Sequence, residues 1–149
     1  MPTIEGSITI DRSVADVFTF ISDAHNLVVY DISAIRSEPE GNGELAVGTR
    51  WRGATKVLGQ EFDWVTECTE LVPWKLSTFK SVEGKLPFEV STRLTPAGAG
   101  TRLDYKLTAE SGLGGVFGKI AEPLVVKLQT RTVKANLVNL KELLENHAE

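Results

Sequence analysis

Residues 3–10, TIEGSITI, alternate strictly: Ile4, Gly6, Ile8 and Ile10 fall on one face, Thr3, Glu5, Ser7 and Thr9 on the other. That period of two predicts a half-buried strand. Asp11-Arg12-Ser13 interrupts it, and Ser13 is placed to cap a short amphipathic helix carrying Val14, Val17, Phe18 and Ile21. Asp23 is placed to cap a second short helix over Asn26 to Tyr30. From Ile32 the period of two returns, and Ile32–Glu38 reads as a strand closed by the turn Pro39-Glu40-Gly41-Asn42-Gly43.

Four more alternating stretches and one incomplete one follow. In 48–59 Trp51 and Val57 oppose Arg50, Arg52 and Lys56; in 61–71 Phe62, Trp64, Thr66 and Cys68 oppose Asp63, Glu67 and Thr69, with Val65 out of step. Val72-Pro73 ends that strand, since proline cannot donate to a ladder. The faces of 74–84 are ambiguous between Leu76, Thr78 and Val82 on one side and Phe79 on the other. Phe88, Val90, Thr92 and Leu94 share one face of 87–94, a turn over Thr95 to Gly100 follows, and 101–110 sets Leu103, Tyr105 and Leu107 against Arg102, Asp104 and Lys106.

The chain closes on a long helical pattern. Phe117, Ile120, Leu124, Leu128 and Ala135 share one face, whereas Val126, Val133, Leu137, Leu140 and Leu144 share nearly the opposite one. A helix apolar on two sides is normally surrounded by protein. Pro123 places either a helix start near Glu122 or a kink. Short connections imply a sequential antiparallel meander with one wet face, and the terminal helix is the element large enough to cover the dry one. The expected fold is therefore α+β: a curved antiparallel sheet of about seven strands closed round one C-terminal helix, with two short helices after the first strand.

Composition narrows the function. The chain has 149 residues, 42% hydrophobic and 24% charged, values of an ordinary globular chain with a proper core, so a single domain over 1–149 is expected. A net charge of −4 without any basic run argues against nucleic acid and anionic membranes. The lone Cys68 excludes an internal disulfide, and His25 and His147 lie too far apart for metal-ligand spacing. No cofactor or metal is expected. MPTIEGSITIDRS lacks the charged start and apolar run of a signal peptide, and no stretch approaches the ~18 apolar residues of a membrane span, so the expectation is a soluble cytoplasmic protein without stable membrane insertion. Either a monomer or a homodimer is compatible with the sequence.

Several segments, taken in order, resemble the polyketide cyclase/dehydrase and lipid-transport family, within the START-like (SRPBCC) helix-grip superfamily that includes the birch-pollen allergens. They are Ile10-Asp11-Arg12-Ser13, VADVFTFISDAHNL (14–27), GTRW (48–51), ECTELVPWKL (67–76), GAGTRLDYKL (98–107) and NLVNLKELLE (136–145). The chain departs from that pattern at Tyr30-Asp31, where the family often has a tryptophan after the second helix. The resemblance implies a helix-grip fold and a largely apolar internal cavity between sheet and terminal helix. It also implies a lipid, polyketide, hormone or other flat hydrophobic ligand, with cyclisation or dehydration in a minority of members. The family has no universal catalytic signature to carry over.

Given such a cavity, parity nominates its ligand-binding walls: Trp51, Phe62, Trp64, Phe88, Val90 and Leu103. The terminal segment adds Phe117, Ile120 and Leu124, and the polar members are Thr66, Thr78, Thr92 and Tyr105. The Phe117–Leu128 face is expected to look into the cavity, and Val133–Leu144 to anchor the helix. GLGGVFG (112–118) superficially resembles a dinucleotide-binding loop, but no strand follows its helix and no βαβ unit exists. It reads instead as a connection beside Phe117 on which a gating lid could move. Catalysis needs an acid or base inside, and Tyr105, Tyr30 and Asp31 are the candidates; His25 reads as a surface residue at a helix start and Asp63 as outward-facing. Cys68 reads as a small core residue. The leading functional reading is a protein that binds a small hydrophobic molecule for carriage or sensing. The competing readings are a cyclase or dehydratase using those residues, and a regulatory or toxin-like protein-interaction module without a working pocket.

Overall fold

The computed structural model describes residues 3–41, 43–57, 59–85, 87–109 and 122–146. Strand β1 (Thr3–Ile10) leads into helix α1 (Val14–Ile21), whose N-cap Ser13 accepts from Asp16 N through Oγ at 3.1 Å. The expected second helix divides into a 3-10 turn, Ala24–Asn26, capped by Asp23, and a single helical turn, α2 (Leu27–Tyr30). Strands β2 (Ala34–Pro39), β3 (Arg50–Val57), β4 (Gln60–Val72), β5 (Leu76–Glu83), β6 (Phe88–Ala97) and β7 (Gly100–Ala109) follow, and helix α3 (Glu122–Asn146) closes the fold. Pro123 thus falls in the first turn of α3, where its missing N–H costs nothing.

The seven strands form one antiparallel sheet in the order β1-β7-β6-β5-β4-β3-β2, curled round α3. This is the helix-grip arrangement. Two boundaries differ from the sequence pattern. Strand β2 begins at Ala34, because Asp31 Oδ1 accepts from both Ser33 N and Ser33 Oγ and holds 31–33 in a turn. Strand β6 runs through Pro96 to Ala97, opposite Thr101 and Gly100, so the hairpin turn is tighter than the sequence suggested.

Inward residues form two clusters. The first is aliphatic and joins β1, β6, β7, α1 and α3 through Ile10, Val17, Leu94, Leu103, Leu140 and Leu144. The second is built on Trp51, Trp64, Cys68 and Phe79, with Ala24 from the 3-10 turn; the Trp51 and Phe79 rings lie 4.4 Å apart at 35°. Two glycines allow the close approaches that shape the fold. A Cβ on Gly6 would stand 3.0 Å from Leu137 Cδ1 and 3.2 Å from Val133 Cγ1, so its absence lets α3 settle onto β1. A Cβ on Gly53 would lie 2.6 Å from Trp64 Cζ2, so the indole lies over the glycine on the neighbouring strand.

The wet face carries ion pairs across β2, β3 and β4. Arg36 pairs with Glu61 and Asp63, Arg52 with Glu40, and Arg50 with Glu67. These exposed pairs contribute little each.

Candidate functional cavity

Between the two clusters lies a cavity of about 230 Å³. Its floor is the inner face of β5, β6, β7 and β1, read row by row from the strand register. Ser77, Thr92, Tyr105 and Gly6 stand directly opposite one another on successive strands. On one side of that row runs Phe79–Val90–Leu107–Ile4, and on the other Leu94–Leu103–Ile8. A polar stripe therefore crosses an otherwise apolar floor, with its members about 4.8 Å apart from strand to strand.

The far wall comes from β3 and β4, through Trp51, Thr55, Val57, Trp64 and Thr66. Helix α3 supplies the roof with Gln129, Thr132, Val133, Asn136, Leu137 and Leu140. These positions step i, i+3, i+4, i+7, i+8 and i+11, the spacing of one helical face. Three of them are polar, which is why a reading of apolar residues alone did not pick out the stripe.

One end of the cavity is polar. Asn136 Nδ2 donates to Asp31 Oδ1 at 2.9 Å while Asn136 Oδ1 accepts from Ile32 N at 2.9 Å, and Asn139 Nδ2 donates to Tyr30 O at 3.3 Å. The terminal helix thus fixes the turn that carries Tyr30 and Asp31. Thr55 Oγ1 donates to Ser33 O at 3.1 Å and completes the support. Asp31 Oδ1 accepts three bonds, from Ser33 N, Ser33 Oγ and Asn136 Nδ2, whereas Oδ2 accepts none among the described residues. The Tyr30 and Tyr105 hydroxyls likewise make no hydrogen bond among the described residues, although both side chains line the cavity. Burial, then the charge of Asp31, pushes the Tyr30 hydroxyl well above its ordinary value. Tyr105 is pushed up in the same way, by burial first, then by Asp31 and Tyr30. Both phenols therefore stay protonated at neutral pH. They are the only two tyrosines of the chain.

The three catalytic candidates from the sequence, Tyr105, Tyr30 and Asp31, thus converge in one cavity. Trp51, Trp64, Thr66, Phe88, Val90, Thr92 and Leu103 also line it. Three expected wall residues do not. Phe62 is buried on β4 two residues before Trp64 but does not reach the cavity surface. Thr78 points to the opposite face, where its Oγ lies 2.8 Å from Ser91 Oγ; Ser77 and Phe79 take the inward places. The register of β5 sets this: Phe79 stands opposite Cys68 and Val90, and Ser77 opposite Thr92, so alternation along β5 turns Thr78 outward. Leu124 is 51% exposed, because it lies on the face of α3 opposite the cavity stripe. The expected division of α3 is corrected accordingly: Val133, Leu137 and Leu140 both anchor the helix and line the cavity. Phe117, Ile120, the glycine-rich stretch 112–118 and the lid drawn from it lie outside the described residues.

The rejected candidates sit as their chemistry suggested. His25 is exposed with its ring 3.1 Å from Asp23, and Asp63 is paired with Arg36 on the wet face. Cys68 is fully buried, and burial raises its thiol. Among the described residues no group of acidic, histidine or cysteine side chains could hold a metal, and no helix is long and apolar enough to cross a membrane.

Comparison with known proteins agrees with this geometry. The family model described as polyketide cyclase / dehydrase and lipid transport matches residues 1–145. Among solved structures, TTHA0849 from Thermus thermophilus superposes with a TM-score of 0.81 at 24% identity, covering 99% of this chain and 100% of that one. A START superfamily protein from Mycobacterium smegmatis gives 0.79 at 16% identity, with 96% and 97% covered. Zhui aromatase/cyclase from Streptomyces sp. R1128 gives 0.73 at 14%, with 99% and 95% covered. At these identities the likeness establishes the fold alone. The comparison with curated protein sequences found no match.

Proposed function

The chain belongs to the polyketide cyclase/dehydrase and lipid-transport family, and from that premise we propose that it binds a small hydrophobic molecule in the cavity between sheet and α3, for carriage or sensing. The observation that carries this reading is the cavity itself: about 230 Å³, walled by Trp51, Trp64, Phe79, Phe88 and Val90, and crossed by a polar stripe. A sheet whose inner face merely packed a core would have no use for hydroxyls in its middle. Apolar walls supply the affinity and a few placed polar groups supply orientation. A protein-interaction module with a filled pocket is disfavoured by the same volume. The test is native mass spectrometry of the purified protein with extraction of co-purifying molecules, followed by thermal shifts across a lipid and polyketide panel. A saturable adduct or a shift supports the reading; an empty protein unmoved by every compound counts against it.

One observation favours a second reading, a cyclase or dehydratase. Asp31 Oδ2 and the Tyr30 and Tyr105 hydroxyls share one cavity without hydrogen-bond partners among the described residues. Raised as they are, the phenols serve as hydrogen-bond donors to a substrate oxygen rather than as bases. Asp31 is then the proton acceptor. On this reading Asp31→Asn abolishes turnover of a bound polyketide while leaving its binding within about tenfold; turnover unchanged in that variant removes Asp31 from the chemistry.

A further inference from the structure

The polar end of the cavity carries charge of one sign only among the described residues. Its single ionisable acceptor with spare capacity is Asp31, whose Oδ1 is fully used and whose Oδ2 is free among the described residues. The other polar side chains that line the cavity among the described residues are neutral, among them the two tyrosines, Gln129, and Thr92 and Ser77 of the floor stripe. Among the described residues that line the cavity there is no lysine, arginine or histidine. A carboxylate or phosphate brought here would lose its hydration and meet a second negative charge without a cation to offset either cost. An ammonium would suit Asp31, but it has no lone pair to accept from the tyrosine O–H groups. A hydroxyl answers both demands, donating to Asp31 Oδ2 and accepting from a tyrosine.

We propose, resting on the binding function above, that the molecule held in this cavity is an uncharged, hydroxyl-bearing apolar compound whose hydroxyl donates to Asp31 Oδ2, and that anionic lipids and acids are excluded. The charge and hydrogen-bond inventory of the walls, rather than their size, then sets the ligand class.

Four naphthalenes of nearly equal size separate the possibilities by calorimetry at pH 7: 2-naphthol, 2-methoxynaphthalene, 2-naphthoate and 2-naphthylmethylammonium. The native protein is expected to bind 2-naphthol about tenfold or more tightly than the donor-less methoxy compound, as a hydrogen bond to a charged acceptor gives. The naphthoate is expected to bind weakest of the four. In Asp31→Asn, which retains an oxygen for Ser33 but turns an amide toward the cavity, the advantage of naphthol over its methyl ether falls below about threefold. Equal binding of naphthol and methoxynaphthalene to the native protein, tighter binding of the ammonium, or naphthoate matching naphthol each overturns the proposal while the binding function stands. Binding of none of the four overturns both. The native ranking decides the matter even if Asp31→Asn fails to fold.

Discussion

The two ends of the sheet obey the same inward parity yet do opposite things. At the β1/β7 end, Ile10, Val17, Leu103 and Leu140 are essentially sealed, since α1 and the C-terminal half of α3 press aliphatic side chains of matched size onto the strands. Across β3, β4 and β5, Trp51, Trp64 and Phe79 are large rings on a curling surface. They contact one another but cannot interdigitate with the helix across the gap, and the space left over is the cavity. Close packing is the rule where branched aliphatics meet. Rings held apart by sheet curvature give walls instead. Packing is therefore tightest at one end and opens into the cavity toward the other, with Leu103, Leu137 and Leu140 belonging to both.

That contrast can be broken by substitution. Ile10, 0% exposed and remote from the cavity, should cost about 2–5 kcal/mol as Ile10→Ala in urea unfolding, with binding of the folded fraction unchanged. A loss of binding without loss of stability would dissolve the division. Asn136→Ala removes both side-chain bonds by which Asn136 ties the α2–β2 turn to α3 and leaves only the bond from Asn139 to Tyr30 O. It should lower stability by about 1–3 kcal/mol and weaken binding as well, since Tyr30 and Asp31 lose their fixed place. Tyr105→Phe should change stability by less than about 0.5 kcal/mol, because the hydroxyl has no described partner to lose.

The tyrosines also give a pH signature. Their folded values are raised, so the neutral form is favoured on folding and this contribution is fully present below the unfolded value near 10. Above it the unfolded chain releases phenolic protons that the folded chain keeps, and stability falls as pH rises. Absorbance at the tyrosinate band should stay flat in the folded protein past that pH and rise only on unfolding. Ionisation of either phenol at its ordinary value would place that ring in water and outside the cavity.

Much of this was legible in the residues. Strict alternation in 3–10, 87–94 and 101–110 gave inward faces that the register reproduces, and with them Val90, Thr92, Leu103 and Tyr105. What alternation could not carry was the choice of face in 74–84, where Leu76 and Val82 compete with Phe79. Only the pairing of β5 with Cys68 on one side and Thr92 on the other puts Phe79 and Ser77 in and Thr78 out. Helix α3 was misjudged for a different reason. Its cavity face mixes Gln129, Thr132 and Asn136 with leucine and valine, and a search for apolar stripes passes over a face that is half polar because it lines a site. Asn136 itself lay within the recognised NLVNLKELLE segment, where its spacing from Leu140 on one helical face was the available signal.

The central claim is that the space between the two ends is a binding site rather than an accident of packing. Val90 stands on its floor between Phe79 and Leu107, so Val90→Phe fills the cavity from a rigid strand without touching the aliphatic core. Calorimetric titration of 2-naphthol into the native protein and this variant should give saturable one-to-one binding to the first and none to the second, with melting temperatures within a few degrees of each other. Equal binding to both proteins, or none to the native one, would contradict the account.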